Sequence, residues 1–208
     1  MDRSDIDPRI QELHFITPIV NVPSILSRGI LSNKLMQGIP HTSAANSEVQ
    51  ERREQVKVPS GLPLHQYANL YIDSRNPMLY TRMTNGSDDL CVLRIDISVM
   101  TLPGVVVTDE NAARDYVQFL SPSEAMAKLD IGRIYSRYWN HDDDPLETWI
   151  HKGIKCTEVL VPHHVRPEYI AGAYVPDAVT KEALRLLGFD REISVKPDHF
   201  FNKTIRRR

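Results

Sequence analysis

The sequence lacks most of the motifs that mark common nucleotide- and metal-binding proteins. Its nine glycines form neither the G-x-G-x-x-G pattern of dinucleotide folds nor the G-x-x-x-x-G-K phosphate loop. No pair of His or Cys residues has the spacing of a zinc finger or of an H-E-x-x-H helix, so we predict no metal. The N-terminus has no signal-peptide pattern and no apolar run is long enough to cross a bilayer, which predicts a cytoplasmic protein without membrane contact.

The net charge and the cysteines indicate which partners and which cellular compartment suit the protein. The formal net charge is -2, whereas proteins held on nucleic acid by bulk electrostatics carry an excess of Lys and Arg; a local basic groove remains open. Cys91 and Cys156 both lie in apolar, strand-like runs. We therefore expect two buried free thiols in a reducing compartment.

The hydrophobic pattern predicts strands and helices in mixed order. Strand-like runs at "LHFIT", "DLCVLRIDISV", "GVVVTDENAA", "GIKCTEVLVP" and "EYIAGAYV" are separated by helical stretches. A helix with Pro23 in its first turn should stop at Gly29, and another should stop at Gly188. Ser47 and Gln50 have the spacing of a capping box, and residues 115–150 look helical. The steady alternation of a doubly wound sheet is missing, so we predict an α+β fold with a central, mainly antiparallel sheet.

Several charged or polar residues allow more than one interpretation. Glu158 interrupts the apolar strand of "IKCTEVLV", where a carboxylate points either to solvent or into a site. His14 in "LHFIT" raises the same alternative, with a satisfied core or edge histidine as the ordinary one. Arg52 and Arg53 on a short helix are solubility charges unless something lies opposite them. The acidic run 142–144 lacks a calcium-loop pattern and indicates a solvated loop.

Five segments in this order carry a resemblance: "LHFIT…NVPSILSRGIL", "SAANSEVQERREQVKVPSG", "LHQYANLYIDSRNPMLY", "VVVTDENAA" and "CTEVLVP". Together they resemble the DarT-type DNA ADP-ribosyltransferases, the toxins of toxin–antitoxin pairs, over nearly the whole chain. The resemblance implies a single domain over residues 1–208 with an ADP-ribosyltransferase-like fold: a split, mainly antiparallel sheet with flanking helices and an NAD cleft. It also implies transfer of ADP-ribose from NAD to a base in single-stranded DNA, and an antitoxin of macrodomain type or equivalent that removes the group.

The resemblance also assigns roles to residues of this chain. Glu158 matches the catalytic glutamate, and Arg53 matches the arginine that reaches the reaction centre and the NAD. The remaining NAD-contacting positions are His14, Thr17, Asn21 and Tyr71. Nucleic-acid contacts are expected from Tyr80, Arg133 and Arg137; the two arginines stand four apart on a predicted helix and could equally form surface salt bridges.

One segment departs from the family pattern. Many members read H-D-Y-V-P-F-Y-F where this chain has "HQYANLYI", so Gln66, Asn69 and Leu70 replace Asp and the Pro-Phe pair. The target base, thymidine or guanosine, therefore stays open. So do three alternatives: an enzyme of the same fold acting on RNA or protein, a catalytically silent nucleic-acid-binding module, and, more weakly, a hydrolase that pairs Glu158 with Asp109.

Overall fold

The computed structural model describes residues 1–42, 47–59, 61–86 and 89–201. Within them the strands are β1 Glu12–Pro18, β2 Ile30–Leu31, β3 Tyr67–Tyr71, β4 Leu90–Asp96, β5 Val106–Thr108, β6 Phe119–Leu120, β7 Glu158–Pro162, β8 His164–Val165, β9 Ile170–Val175 and β10 Glu192–Val195. The α-helices are α1 Val22–Arg28, α2 Asn33–Met36, α3 Ser47–Gln55, α4 Pro77–Thr84, α5 Pro122–Lys128, α6 Ile131–Ile134, α7 Pro145–Ile154 and α8 Ala178–Leu186. Short 3-10 turns cover Arg3–Asp5, Ile19–Asn21, Leu64–Gln66, Ile97–Thr101 and Pro167–Tyr169. None of the helices in these ranges is long and apolar enough to span a membrane.

Eight strands form one sheet in the order β10-β9-β4-β1-β3-β7-β5-β6, and β2 pairs with β8 in a separate ribbon. All neighbours in the large sheet are antiparallel except β9 and β10. Strand β1 is in register with β4 along its whole length, from Glu12 to Pro18, but it meets β3 only where His14 faces Tyr71. The sheet is therefore split between β1 and β3, which confirms the predicted α+β architecture.

Strand β4 explains why the central strands are apolar on both faces. Cys91, Leu93 and Ile95 belong to the large core on one side of the sheet, whereas Leu90 and Val92 belong to a second apolar cluster on the other side. A strand covered on both faces needs a continuous hydrophobic run rather than alternation. Cys91 in β4 and Cys156 just before β7 are both buried free thiols, as predicted.

The predicted ends of α1 and α8 are confirmed. Pro23 lies in the first turn of α1, and Gly29 follows the helix with a φ of +84°. A Cβ at Gly29 would collide with the backbone carbonyl of Val165, so glycine is required on two grounds. Asp177 caps the N-terminus of α8, and Gly188 follows its C-terminus in the left-handed region.

Two local predictions are wrong. Arg133 and Arg137 do not share a helix, because α6 ends at Ile134. The buried ammonium of Lys155 donates to the carbonyl oxygens of Ile134 and Ser136 at 2.6 and 3.0 Å, which satisfies these groups without a further helical turn. The stretch 115–150, expected to be helical, instead contains strand β6, the short helices α5 and α6, and a non-helical stretch before α7 begins at Pro145.

The capping prediction at Ser47 falls at the edge of the described chain. Helix α3 already includes Ser47 as its first residue. Residues 43–46, and the side chains of residues 47–50, lie outside the described part of the protein.

Candidate active site

Three of the predicted site residues lie in one row across the split of the sheet. His14 on β1 is in register with Tyr71 at the end of β3, and Tyr71 is in register with Glu158 at the start of β7. Because strand partners on one face have neighbouring side chains, the fold assembles residues from distant parts of the sequence at the place where β1 and β3 diverge.

Glu158 and Arg53 form a buried ion pair. Arg53 Nη1 donates to Glu158 Oε1 at 2.9 Å and to Oε2 at 3.0 Å, and the backbone N–H of Ala112 donates to Oε1 at 3.1 Å. Glu158 is completely buried and Arg53 is 6% exposed. The backbone N–H of Glu158 donates to the Thr108 hydroxyl at 3.0 Å, which fixes the strand at this point. The alternatives for both residues are thereby resolved: neither is a solvent-facing charge.

The surroundings keep the neighbouring groups in defined protonation states. Burial lowers the pKa of Arg53, but attraction to Glu158 and the hydrogen bonds to it outweigh burial and raise that pKa above its ordinary value. Burial, followed by the nearby carboxylate, raises the pKa of Tyr71 well above its ordinary value. The same two causes raise the pKa of Cys156 to about 12. Arg53 is therefore a permanent cation, Tyr71 a neutral phenol and Cys156 an unreactive thiol.

A cleft of about 460 Å³ opens beside this pair. Its lining comes from β1, α1, β3, α4 and the segment between α2 and α3, and includes Phe15, Ile16, Thr17, Val20, Asn21, Ser24, Ile25, Gly29, Ile30, Leu31, Asn33, Met36, Pro40, His41, Thr42, Arg53, Asn69, Tyr71, Pro77, Met78, Thr81, Arg82, Asn111 and Cys156. This volume is typical of sites for small-molecule ligands and cofactors. Glu158 does not itself line the cleft, since the Arg53 guanidinium lies between them.

Thr17, Asn21, Tyr71 and Arg53 all line this cleft, and their contact with NAD stays a prediction. Asn21 Nδ2 donates to Thr17 Oγ1 at 3.2 Å and to the carbonyl of Thr42 at 2.8 Å, and the N–H of Thr42 donates to Asn21 Oδ1 at 3.0 Å. This bridge fastens the segment after α2 to the rim of the cleft. Its polar atoms lie on the lining of the cleft.

His14 lies behind the lining rather than in it. Its Nδ1 is 3.1 Å from the carbonyl oxygen of Ile72, and its Nε2 is 3.2 Å from Glu12 Oε1. Burial opposes ionisation of Glu12, but hydrogen bonds from His14, Tyr174 and Arg94 outweigh it and lower the pKa of that carboxyl to about 2. The imidazole is thus held at both ring nitrogens, and it links β1 to the residue that follows β3 where the two strands diverge.

A smaller cavity of about 180 Å³ adjoins the cleft and is basic. It is lined by Arg52, Asn111, Ala113, Arg114, Lys152, Gly153 and Cys156. Asn111 and Cys156 belong to both cavities, so the two meet beside the Arg53–Glu158 pair. In the sequence, Arg52, Arg114 and Lys152 look like ordinary surface charges. They lie on α3, on the loop after β5 and on α7, and only the folded chain brings these three cations to one cavity.

The predicted nucleic-acid contacts lie outside both cavities. Arg133 pairs with Glu147, and Arg137 donates to both oxygens of Asp198 at 2.7 Å. The ring of Tyr80, on α4, meets Phe201 edge to face at a centroid distance of 5.1 Å. In this structure Arg133 and Arg137 both form salt bridges, which was the alternative to contact with nucleic acid. Their contact with nucleic acid remains a prediction.

The segment that departs from the family pattern is only partly in the cleft. Asn69 and Tyr71 line it, whereas Leu70, between them on β3, is fully buried in the main core. Gln66 lies in the 3-10 turn before β3. Asn69 is therefore the one substitution of these three that changes the cleft surface in the described chain.

Comparison with known proteins agrees with this arrangement. A family model described as "ssDNA thymidine ADP-ribosyltransferase, DarT" matches residues 14–201. The chain belongs to the DarT family. A DNA ADP-ribosyl transferase–DNA ADP-ribosyl glycohydrolase fusion protein from Thermosipho africanus is 33% identical over 199 residues, covering 93% of this chain and 50% of the fusion protein. The chain thus spans about half the length of that relative.

Solved DarT structures share the fold. Thermosipho africanus DarTG in complex with ADP-ribose has a TM-score of 0.79 and 31% identity, covering 92% of this chain and 51% of that one. Thermus sp. 2.9 DarT in complex with ADP-ribosylated ssDNA has a TM-score of 0.80 and 25% identity, covering 96% and 99%. The same Thermus protein in complex with NAD+ has a TM-score of 0.75 and 23% identity, covering 92% and 98%, which bears on the fold alone.

Proposed function

We propose that this chain is a single DarT-like domain over residues 1–208 that transfers ADP-ribose from NAD to a base of single-stranded DNA. The observation that carries the proposal is the buried Arg53–Glu158 pair beside a cleft of cofactor size, at the split of the sheet. Thymidine is the favoured base, because the matching family is described as a thymidine transferase. No metal takes part in the transfer.

NAD fits the larger cleft by shape and by lining. The proposed orientation places the nicotinamide end beside Tyr71 and Arg53, where an aromatic ring packs against the pyridinium. Thr17 and Asn21 then offer hydrogen bonds towards the other end of the dinucleotide. The apolar walls from α1 and α4 exclude water from the bond that breaks.

Glu158 stabilises the developing cation. Breaking the bond between ribose C1′ and the nicotinamide nitrogen releases neutral nicotinamide with the bonding electron pair and leaves an oxocarbenium-like ribose. A carboxylate that accepts a hydrogen bond from the ribose 2′-OH opposes that charge. Since Arg53 covers both oxygens of Glu158, its guanidinium has to shift when the ribose engages the carboxylate.

Arg53 acts on the acceptor side through its charge. A ring nitrogen of the base forms the new bond to C1′ and loses its proton, which passes to solvent. A permanently protonated guanidinium beside that nitrogen stabilises the deprotonated or polarised base. Because Arg53 is buried and paired, it cannot act as the proton acceptor in its ordinary state.

The acceptor strand approaches through the basic cavity. Arg52, Arg114 and Lys152 there offer positive charge to phosphates next to the reaction centre. Trp149, 54% exposed, lies under the Arg114 guanidinium at 3.7 Å from its ring centroid and offers a face on which an unpaired base can stack. A single strand suits this entrance because its bases are free to leave the stack.

The proposal extends to a partner and a compartment. The Thermosipho relative joins a transferase to a DNA ADP-ribosyl glycohydrolase, so we assign this chain an antitoxin that removes ADP-ribose from DNA, of macrodomain type or equivalent. A cytoplasmic location gives such an enzyme access to both NAD and DNA.

Mass spectrometry of oligonucleotides tests the function. The chain is incubated with NAD and single-stranded DNAs that contain thymidine, guanosine, both or neither, with RNA of matching sequence and a protein lysate as further arms. The account predicts a gain of about 541 Da, one ADP-ribosyl group replacing a hydrogen, on thymidine-containing DNA only. Modification of RNA or protein alone would contradict the DNA assignment, and intact NAD in every arm would favour a silent binding module.

A further inference from the structure

A cluster of two histidines and a glutamate lies on α7 and the loop before it, and none of the three lines either cavity. Within the described residues, His141, Glu147 and His151 have one ligating atom each, and these atoms lie within 4.8 Å of one another. We propose that they form a structural site for Zn²⁺ that holds residues 135–141 against α7. The sequence motifs for zinc miss this site because its spacing, H-x5-E-x3-H, matches none of them.

The three donor atoms already converge. His141 Nε2 is 2.9 Å from His151 Nδ1 and 3.8 Å from Glu147 Oε1. Two nitrogen ligands of tetrahedral zinc, each at about 2.0–2.1 Å from the metal, stand about 3.3 Å apart. The histidine nitrogens therefore need to separate by only a few tenths of an ångström, and His141, at the rim, can move that far.

An outer contact sets His151 in the metal-binding form. His151 Nε2 is 3.0 Å from the carbonyl oxygen of Arg133, so this nitrogen carries the proton and Nδ1 presents its lone pair to the cluster. The Thr148 hydroxyl accepts from the backbone N–H of His141 at 2.7 Å and holds the loop on α7. His151 is 5% exposed, which gives the site a buried wall.

Helix geometry and charge support the same site. Glu147 and His151 are four residues apart on α7 and therefore face the same side of the helix. Arg133 pairs with Glu147 Oε1, the same oxygen that faces His141, so a bound cation would share this carboxylate with the guanidinium. Its positive charge opposes a cation, whereas the exposed Asp142 and Asp143 next to His141 favour one. Two imidazoles with one carboxylate, and water in the fourth position, suit zinc better than magnesium or calcium.

The consequence is local order rather than chemistry. The Zn²⁺ would tie the chain after α6, which carries Arg137, to the helix that leads into Lys155 and Glu158. Zinc binding should therefore raise thermal stability without taking part in NAD cleavage. This separates the proposal from the proposed function, since either can fail alone.

Titration with zinc chloride tests the site. The chain is purified without a polyhistidine tag, treated with chelator, and titrated by calorimetry. Co²⁺ absorption serves as an independent reading of the ligand geometry. We expect one equivalent of Zn²⁺ and a rise in Tm of about 5 °C or more at saturation. His141→Gln should abolish both effects, because His141 is half-exposed and its loss leaves the fold intact.

Two further variants make the test specific. His164→Gln removes an exposed histidine that also neighbours another histidine, and should bind zinc like the unaltered chain. Glu147→Gln should weaken binding at least tenfold. The proposal is overturned if the unaltered chain binds no zinc, if His141→Gln binds as well as the unaltered chain, or if Glu147→Gln leaves the affinity unchanged.

Discussion

The wall of strands at the split of the sheet, formed by β1, β3 and β7, and the chain segment 109–154 hold their charges in different ways. In the wall, Glu158 is fully buried against Arg53, and breaking such a pair typically costs about 3–5 kcal/mol. In the segment, Arg133–Glu147 and Arg114–Glu110 are partly exposed, and pairs at the surface contribute only about 0–1 kcal/mol. A charge in the wall is therefore fixed in place, whereas charges in the segment can exchange a protein partner for a phosphate at little cost.

This difference assigns chemistry to the wall and substrate capture to the segment. Substitutions in the wall should change the rate of transfer. Substitutions in the segment should change DNA affinity and its salt dependence, with the rate at saturation preserved.

The largest effect is expected for Glu158→Gln. The amide keeps the volume and a hydrogen bond to Arg53 but removes the charge that opposes the oxocarbenium-like ribose, so transfer should fall about 10²- to 10³-fold. Single-turnover transfer to a thymidine oligonucleotide measures it, with a thermal melt as the control for folding. Activity within a few-fold of the unaltered chain would remove Glu158 from the chemistry.

Tyr71→Ala should have the next largest effect. Loss of the ring that packs on the nicotinamide end removes about 0.5–1.5 kcal/mol, or roughly 3- to 10-fold in the KM for NAD. Tyr71→Phe keeps the ring and should stay close to the unaltered chain, because the neutral phenol donates no charge. A large loss in Tyr71→Phe would instead assign a role to the hydroxyl.

Lys152→Ala should act on DNA alone. If Lys152 meets a phosphate in the basic cavity, its loss weakens binding a few-fold and reduces the slope of log affinity against log salt by about 0.7. Fluorescence anisotropy with a labelled single strand reports both, and Lys128→Ala on α5 is the exposed control. The same assay with Arg133→Ala and Arg137→Ala decides whether these arginines also meet phosphates. A slope unchanged in Lys152→Ala would place the strand elsewhere.

The last prediction concerns acid stability rather than transfer. Burial, followed by the nearby His14, lowers the pKa of His199 to about 4. Between that value and about 6.5 the unfolded chain binds a proton that the folded chain does not, so stability falls as the pH drops through this window. The loss from this group is on the order of 2 kcal/mol.

The variant His199→Gln checks this assignment. Denaturant unfolding at several pH values between 4 and 7 should show a shallower dependence on pH in His199→Gln than in the unaltered chain. An equal slope in both would mean that another group controls acid stability.

The cleft wall could be predicted from the sequence for a physical reason. Glu158 interrupts an apolar strand. A carboxylate in a strand buried on both faces needs a specific partner, so this residue stands out in the sequence itself. The resemblance then placed Arg53 at the same reaction centre, without its pairing to Glu158, and the ends of α1 and α8 followed from Pro23 and Gly188. These signals are local or belong to a family pattern.

The segment 109–154 could not be predicted in the same way. Its path depends on Lys155, which captures the carbonyls at the end of α6, and no periodicity in the sequence reports such a contact. The basic cavity forms only when residues from α3, the loop after β5 and α7 come together. Arg114 and Lys152 therefore look like ordinary surface charges in the sequence. The histidine cluster likewise arises only when a loop folds back on its helix.

The central claim is that the second arginine of the pair, buried against Glu158, serves the chemistry while the first serves binding. Transfer rates of Arg53→Ala and Arg52→Ala at saturating NAD and DNA test it most directly, with thermal melts for both and Arg53→Lys as a variant that keeps the charge. The account predicts a loss of about 100-fold or more for Arg53→Ala, partial recovery in Arg53→Lys, and a saturated rate for Arg52→Ala close to that of the unaltered chain. A folded Arg53→Ala variant with near-normal rate, or a greater loss in Arg52→Ala, would contradict it.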